Sequence, residues 1–321
     1  MSVVAKVALA TALSLASVSA SASTAYVSNE KSNTISVVDL DRLEVIQTVR
    51  VGGRPRGVTL SKDKKLLYIC TSDANHVEVL DLASLKVVRT LPSGPDPELF
   101  VLSPDGKRLY VANENNNMVT VLDVERGAVE AEIPVGVEPE GMGVSPDGHW
   151  LVNTSETTSM AHFIDTKTLA VSGSVLVDSR PRFAEFTPDG KQVWVSAEIG
   201  GTVSIIDVAT RKVVRKITFE IPGVRKPAIQ PVGVRITADG KTAFVALGPA
   251  NRVAVVDTAT YKVESYLLVG QRVWQLDFTP DQKLLVSTNG ASNDISVIDV
   301  EKRKVVKSIT VGELPWGVAI R

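Results

Sequence analysis

Short runs of apolar residues, each bounded by a polar turn, recur along the chain from about residue 24 to its end. The clearest copy begins with Ser103-Pro104-Asp105-Gly106, in which Pro presets φ, Asp bonds the local backbone and Gly accepts a positive φ. Leu109-Tyr110-Val111-Ala112 follows as a short β-rich run. Val119-Thr120-Val121-Leu122-Asp123 then alternates with period two and predicts a half-buried strand, and a further run extends from Val129 to Gly136. The Asp that closes the alternating run returns at Asp39, Asp81, Asp123, Asp165, Asp207, Asp257 and Asp299, at intervals of 42 residues with a single interval of 50. The turn keeps step with it, from Ser61-Lys62-Asp63 through Ser145-Pro146-Asp147-Gly148 and Thr187-Pro188-Asp189-Gly190 to Thr279-Pro280-Asp281-Gln282.

One copy cannot bury both of its faces, so copies must stack. A period near 42 with about four strands per copy predicts an all-β, seven-bladed β-propeller over residues 23–321. A β-sandwich would need seven turns in register by coincidence. The last stretch, Val311-Gly312-Glu313-Leu314-Pro315-Trp316-Gly317-Val318, matches the inner-strand stretch Val51-Gly52-Gly53-Arg54-Pro55-Arg56-Gly57-Val58. The three strands that would complete its blade stand at the other end, around residues 25–28, 35–39 and 45–51. One blade is therefore expected to take its inner strand from the C-terminus, closing the ring and removing open sheet edges.

Residues 1–22 read differently. Lys6 is the only charge, an Ala/Leu/Val-rich run follows, and Ala20-Ser21-Ala22 is a small-residue cleavage pattern. This predicts a secretory signal peptide and an exported product with no membrane attachment after its removal. The run is too short for a good transmembrane span. The chain holds 35 Lys and Arg against 36 Asp and Glu, a formal charge of −1. That balance argues against a nucleic-acid partner. Cys70 stands alone, so no internal disulfide is possible, and its alignment with Ala112 predicts a small buried core residue.

The repeated Asp series looks like a ligand set, but each copy ends a strand, where Asp accepts bonds from turn N–H groups. Seven turns around a rim cannot meet on one metal, and no metal site is expected. Chemistry is sought where the copies differ. Before the inner-strand Pro stand Arg54, Asp96, Glu138, Arg180, Gln230, Arg272 and Leu314; after it stand Arg56, Glu98, Glu140, Arg182, Val232, Trp274 and Trp316. Both columns should ring one mouth of the central channel, with Thr59, Glu185, Arg235 and Asp277 deeper inside. The arginines could grip an anionic ligand and the tryptophans stack on it. Alternatively, the Arg and Glu residues pair with one another around a solvated opening. Candidate ligand-binding residues are thus Arg54, Arg56, Glu98, Glu140, Arg180, Arg182, Arg235, Arg272, Trp274 and Trp316. The loops between second and third strands, such as Asn113 to Asn117 and Ser155 to Ser159, read as ordinary hairpin chemistry on the same face. The eight extra residues of the long repeat fall in Phe219 to Pro231, a basic, proline-containing loop predicted to be a partner contact or flap, with Pro222, Arg225, Lys226 and Pro227 as contact residues.

Enzyme signals are weak. His76, His149 and His162 occupy unrelated positions, and no catalytic triad, haem attachment or phosphate loop can be assembled from spacing. No catalytic residue is assigned. Tyr26-Val27-Ser28-Asn29, Tyr110-Val111-Ala112-Asn113, the recurrent Val-Gly-x-x-Pro-x-Gly and Ser-Pro-Asp-Gly resemble the YVTN class of seven-bladed propellers over residues 24–321. The resemblance is nearest to the periplasmic propellers associated with alcohol catabolism dependent on pyrroloquinoline quinone (PQQ). It implies a periplasmic location and a non-catalytic accessory role in a quinoprotein system, with a quinoprotein dehydrogenase or cytochrome as partner, and PQQ or haem reaching it only through that partner. Other seven-bladed propellers suggest a lactonase-like hydrolase using Glu and Arg at the channel, and surface-layer relatives suggest an adhesion module.

Overall fold

The computed structural model describes residues 23–321; the signal-like stretch 1–22 lies outside the described residues. Seven four-stranded antiparallel sheets follow one another in a ring, and they are numbered here as blades 1 to 7. Blade 1 orders its strands Pro315–Ile320, Thr24–Asn29, Thr34–Asp39 and Glu44–Arg50 from the channel outward. Blades 2 to 7 span residues 55–92, 97–134, 139–176, 181–218, 234–268 and 273–310. The fold is a seven-bladed β-propeller. Closure is as the sequence predicts: Ala25, Tyr26 and Val27 face Ile320, Ala319 and Val318, and Thr24 and Arg321 exchange backbone hydrogen bonds.

The core lies between neighbouring blades. Blades 7 and 1 share Val286, Ile295 and Val297 with Ala25, Val27 and Val38; blades 2 and 3 share Cys70, Val77 and Val79 with Leu109, Val111 and Leu122. Cys70 is fully buried, and burial pushes its thiol pKa well up.

The third strands differ from the sequence expectation. They are not half-buried; Val119, Thr120, Val121 and Leu122 are all buried, since a blade covers each face. Their polar position is satisfied internally. Asn29, Asn113 and Asn289 donate from Nδ2 to Ser36, Thr120 and Ser296 Oγ or Oγ1 at 2.8–3.0 Å. The alternation therefore reports a buried hydrogen-bonded seam, not a wet face. The closing Asp does cap its hairpin: Asp81 Oδ1 accepts from Ser84 N and Oγ at 2.7 and 2.6 Å.

Blades are also tied by hydrogen bonds. Ser28, Thr154, Ser196 and Thr288 hydroxyls donate to the carbonyls of Arg56, Pro181, Val232 and Trp316, in or just before the next inner strand, at 2.6–2.9 Å. Inner strands crowd one another around the axis. A Cβ on Gly143 would stand 2.5 Å from Ala184 O, and one on Gly317 would stand 2.5 Å from Arg56 O.

Candidate functional site

The connections from outer to inner strands and the loops between second and third strands share one face, so the two charged columns meet there. The first column is held in an unusual backbone. Arg54, Asp96, Glu138, Arg180, Arg272 and Leu314 all have φ between +52° and +59°, a region that disfavours a Cβ. Five are fixed by a side chain 21 residues earlier: Asn33, Asn75, Asn117, Asn251 and Asn293 accept their backbone N–H groups at 2.9–3.2 Å. These asparagines are left-handed themselves, a conformation Asn tolerates better than most residues. The loops read as plain hairpins thus set the direction in which each mouth side chain leaves.

Every predicted arginine of the mouth meets carboxylates. Arg54 contacts Glu30, Asp96 and Glu98 at 3.4, 2.7 and 3.1 Å, and Arg56 pairs with Glu98 and with Glu30 at 3.3 Å. Arg180 lies 2.7 and 3.3 Å from Glu156 and Glu198, and Arg272 lies 2.7 Å from Glu198. Arg182 is buried among Glu156, Glu140 and Glu198, the last two at 3.4 and 3.6 Å. Sequence reasoning missed Glu30, Glu114, Glu156 and Glu198. Their signal was present: they occupy one column, directly after the second strand, in four of the seven copies. With them counted, eight carboxylates (Glu30, Asp96, Glu98, Glu114, Glu138, Glu140, Glu156 and Glu198) surround five arginines.

Glu98 and Glu140 are at most 1% exposed. Burial raises the pKa of both above the carboxylate range, opposed by Arg56 at Glu98 and by Arg182 at Glu140. Glu140 is the less satisfied: Arg182 Nη2 is within ion-pair distance, yet neither Glu140 oxygen accepts a well-aligned hydrogen bond. Asp96, Glu98 and Glu114 bring carboxylate oxygens within 4.8 Å of one another, although Arg54 already bonds the first two.

The tryptophans stand differently from the expected open stacking surfaces. Trp316 is 1% exposed, with Arg56 5.6 Å from its ring centroid. Trp274 has Arg272 at 4.3 Å and Arg182 at 5.5 Å. Their faces are in contact with cations of the chain itself. The base of the mouth, at Glu98, Glu140, Arg182 and Trp316, is therefore a buried ionic and aromatic plug, while Arg54, Arg180, Arg272 and Trp274 keep exposed surface around it. Arg235 lies apart, deeper in the channel, between Glu185 at 3.3 Å and Asp277 at 3.5 Å. Desolvation pushes Glu185 up to about 7.

The 219–231 loop stands on the mouth face as predicted. Phe219, Ile221 and Ile229 are buried in the core, and Glu220 N donates to Tyr266 Oη at 3.1 Å. Pro222, Arg225, Lys226 and Pro227 are exposed. Ile199 and Leu268, 60% and 62% exposed, belong to the same face of the flanking blades.

A family model for the choice-of-anchor I domain matches residues 118–308, more than half of the sequence. The chain belongs to that family. A second model, for the YNCE-like β-propeller, matches residues 2–98. Among solved structures, hydrazine synthase of Kuenenia stuttgartiensis is similar at 23% identity and a TM-score of 0.80, covering 86% of this chain and 92% of that one. A functionally unknown protein from Desulfotomaculum acetoxidans is similar at 17% identity and a TM-score of 0.75, covering 92% and 98%. At these identities the likeness is one of fold. No curated protein matches the chain.

Proposed function

We propose that this propeller is a non-catalytic binding or scaffold protein of the periplasm that docks a redox protein, a quinoprotein alcohol dehydrogenase or its cytochrome, on its mouth face. The observation that carries the reading is the 219–231 loop. Its apolar residues Phe219, Ile221 and Ile229 anchor it in the core, while Pro222, Arg225, Lys226 and Pro227 are exposed. A preordered loop loses little conformational entropy on docking. Beside it the mouth arginines are engaged by carboxylates, which leaves the loop as the basic feature a partner meets first. Residues 1–22 support export, and the YVTN resemblance supports the quinoprotein association.

Such a partner presents an acidic patch with an apolar centre, fitting Arg225 and Lys226 against the exposed Ile199 and Leu268. Surface plasmon resonance with a purified PQQ-dependent alcohol dehydrogenase and its cytochrome tests this. Binding of one of them that weakens about tenfold in Arg225→Glu/Lys226→Glu, and weakens with salt, is the expected result. No binding of either, or binding indifferent to the double variant, overturns the reading.

A further inference from the structure

Below the plug, the channel holds a cavity of about 330 Å³, lined by inner strands of all seven blades. That is the low end of the range for small-molecule sites, roughly 300–1,000 Å³. Its walls are polar and apolar in about equal measure, and Leu99, Met142 and Phe183 supply apolar side chains. Two buried polar side chains line it without partners. Gln275 is 4% exposed, and neither its Oε1 nor its Nε2 has a hydrogen bond; Trp316 is 1% exposed, and its Nε1 has none. Buried polar groups are nearly always paired, so each such atom needs a reason. Three on two side chains that line one cavity point to something that fills it.

The position of Gln275 strengthens the case. In its column the other blades carry Gly57, Leu99, Gly141, Phe183, Gly233 and Gly317, so it is the one polar side chain there. Its amide rests against the neighbouring glycine, since a Cβ on Gly233 would stand 2.8 Å from Gln275 Oε1. Its own backbone is tied down, with Gln275 N donating to Thr288 Oγ1 at 3.0 Å. Gln275 is thus held on a fixed strand, with its amide oxygen packed into the space that the missing Gly233 side chain leaves.

Charge narrows the class of ligand. Among the described residues, the only charged ones lining the cavity, Glu185 and Arg235, contact each other at 3.3 Å. An ionised ligand would find no unengaged counter-charge, and burying it would be costly. An anion would also meet the carboxylate excess of the plug above.

We infer that the channel cavity binds a small uncharged molecule carrying a carboxamide, whose paired donor and acceptor match Gln275 Oε1 and Nε2 and whose carbonyl also accepts from Trp316 Nε1. Its apolar body lies against Leu99, Met142 and Phe183. Access is from the face of the Ser-Pro-Asp-Gly turns. There Pro146 lines the cavity, and Glu185 and Arg235 are about a quarter exposed, while the mouth end is closed by buried Trp316, Glu140 and Arg182. This site stands independently of the proposed docking face.

The test titrates the purified protein with benzamide and nicotinamide, and with benzoate and nicotinate as charged controls, by saturation-transfer NMR and calorimetry. The amides are expected to bind and the carboxylates to bind at least about tenfold more weakly. Gln275→Leu, close in volume, should cut amide affinity by about tenfold or more without lowering Tm, because it removes two unsatisfied polar atoms. Trp316→Phe should weaken the amides and leave the fold intact, which keeps the test decisive should Gln275→Leu fail to fold. Absence of amide binding up to the solubility limit means that water alone solvates Gln275 and overturns the inference. So does equal binding of amides and carboxylates, or amide binding unchanged in both variants.

Discussion

Asn251 shows how much of the mouth rests on single side chains outside it. Its φ is +56°, and its Oδ1 accepts the backbone N–H of Arg272, which also lies at +56°. Arg272 in turn reaches Glu198 and stacks on Trp274. Alanine at 251 would lose that bond and force a Cβ into the left-handed region; glycine would lose only the bond. Asn251→Ala should destabilise by about 2–3 kcal/mol and Asn251→Gly by about 1 kcal/mol, combining the left-handed penalty with one hydrogen bond. Urea melts of both variants measure this, and equal losses would refute the backbone contribution. The carboxylates of the mouth teach a related lesson. A guanidinium column alone reads as an anion grip, whereas Arg54, Arg56, Arg180, Arg182 and Arg272 each contact carboxylates that include Glu30, Glu156 or Glu198. Those glutamates are far away in sequence, and nothing local ties them to the arginines.

At the scale of elements, the unit that counts is the interface between blades. Each second and third strand is covered on both sides, and the apolar clusters cross from one blade to the next. Strand Pro315–Ile320 completes blade 1 and packs against the blades on both sides. Val318 and Ile320 join the cluster shared with blade 7, and Ala319 joins the one shared with blade 2. Deleting residues 316–321 removes the pairing with Ala25, Tyr26 and Val27 and opens both interfaces. The truncated protein should unfold far below the full chain in a thermal melt, or fail to fold. A truncation that melts with the full chain would mean that closure contributes nothing to stability.

For the whole molecule, the buried acids fix how stability varies with pH. The Glu185 carboxyl is raised from 4.5 to about 7 by desolvation, with Glu98 and Glu140 raised for the same reason. Between those values the folded protein holds a proton that the unfolded chain has released. This contribution to stability is complete below about 4.5 and is lost as pH rises through about 7. The turn aspartates act the other way: side-chain hydrogen bonds from Ser61 and Ser103 lower Asp63 and Asp105, and that stability is lost as pH falls. Tm should therefore peak in the mildly acidic range and decline as pH rises to neutrality. Glu185→Gln should make the decline between about pH 4.5 and 7 shallower, and a variant with an unchanged slope there would remove Glu185 as its cause.

The amino-acid sequence by itself determined the blade count, the four-strand repeat, the closure of the ring and the face on which the charged columns gather. It could do so because each repeat carries its own turn and strand pattern, and seven copies in register leave little room for another topology. Even the missed acidic column was readable as a repeated position. Only the tertiary structure decided that the third strands are sealed on both faces, that the arginines are engaged by glutamates from other loops, that Trp316 is buried at the base of the mouth and that Gln275 lines a cavity. These depend on which side chains from different blades converge on the axis and on how much water remains there. Blade packing sets both, at distances no sequence spacing encodes.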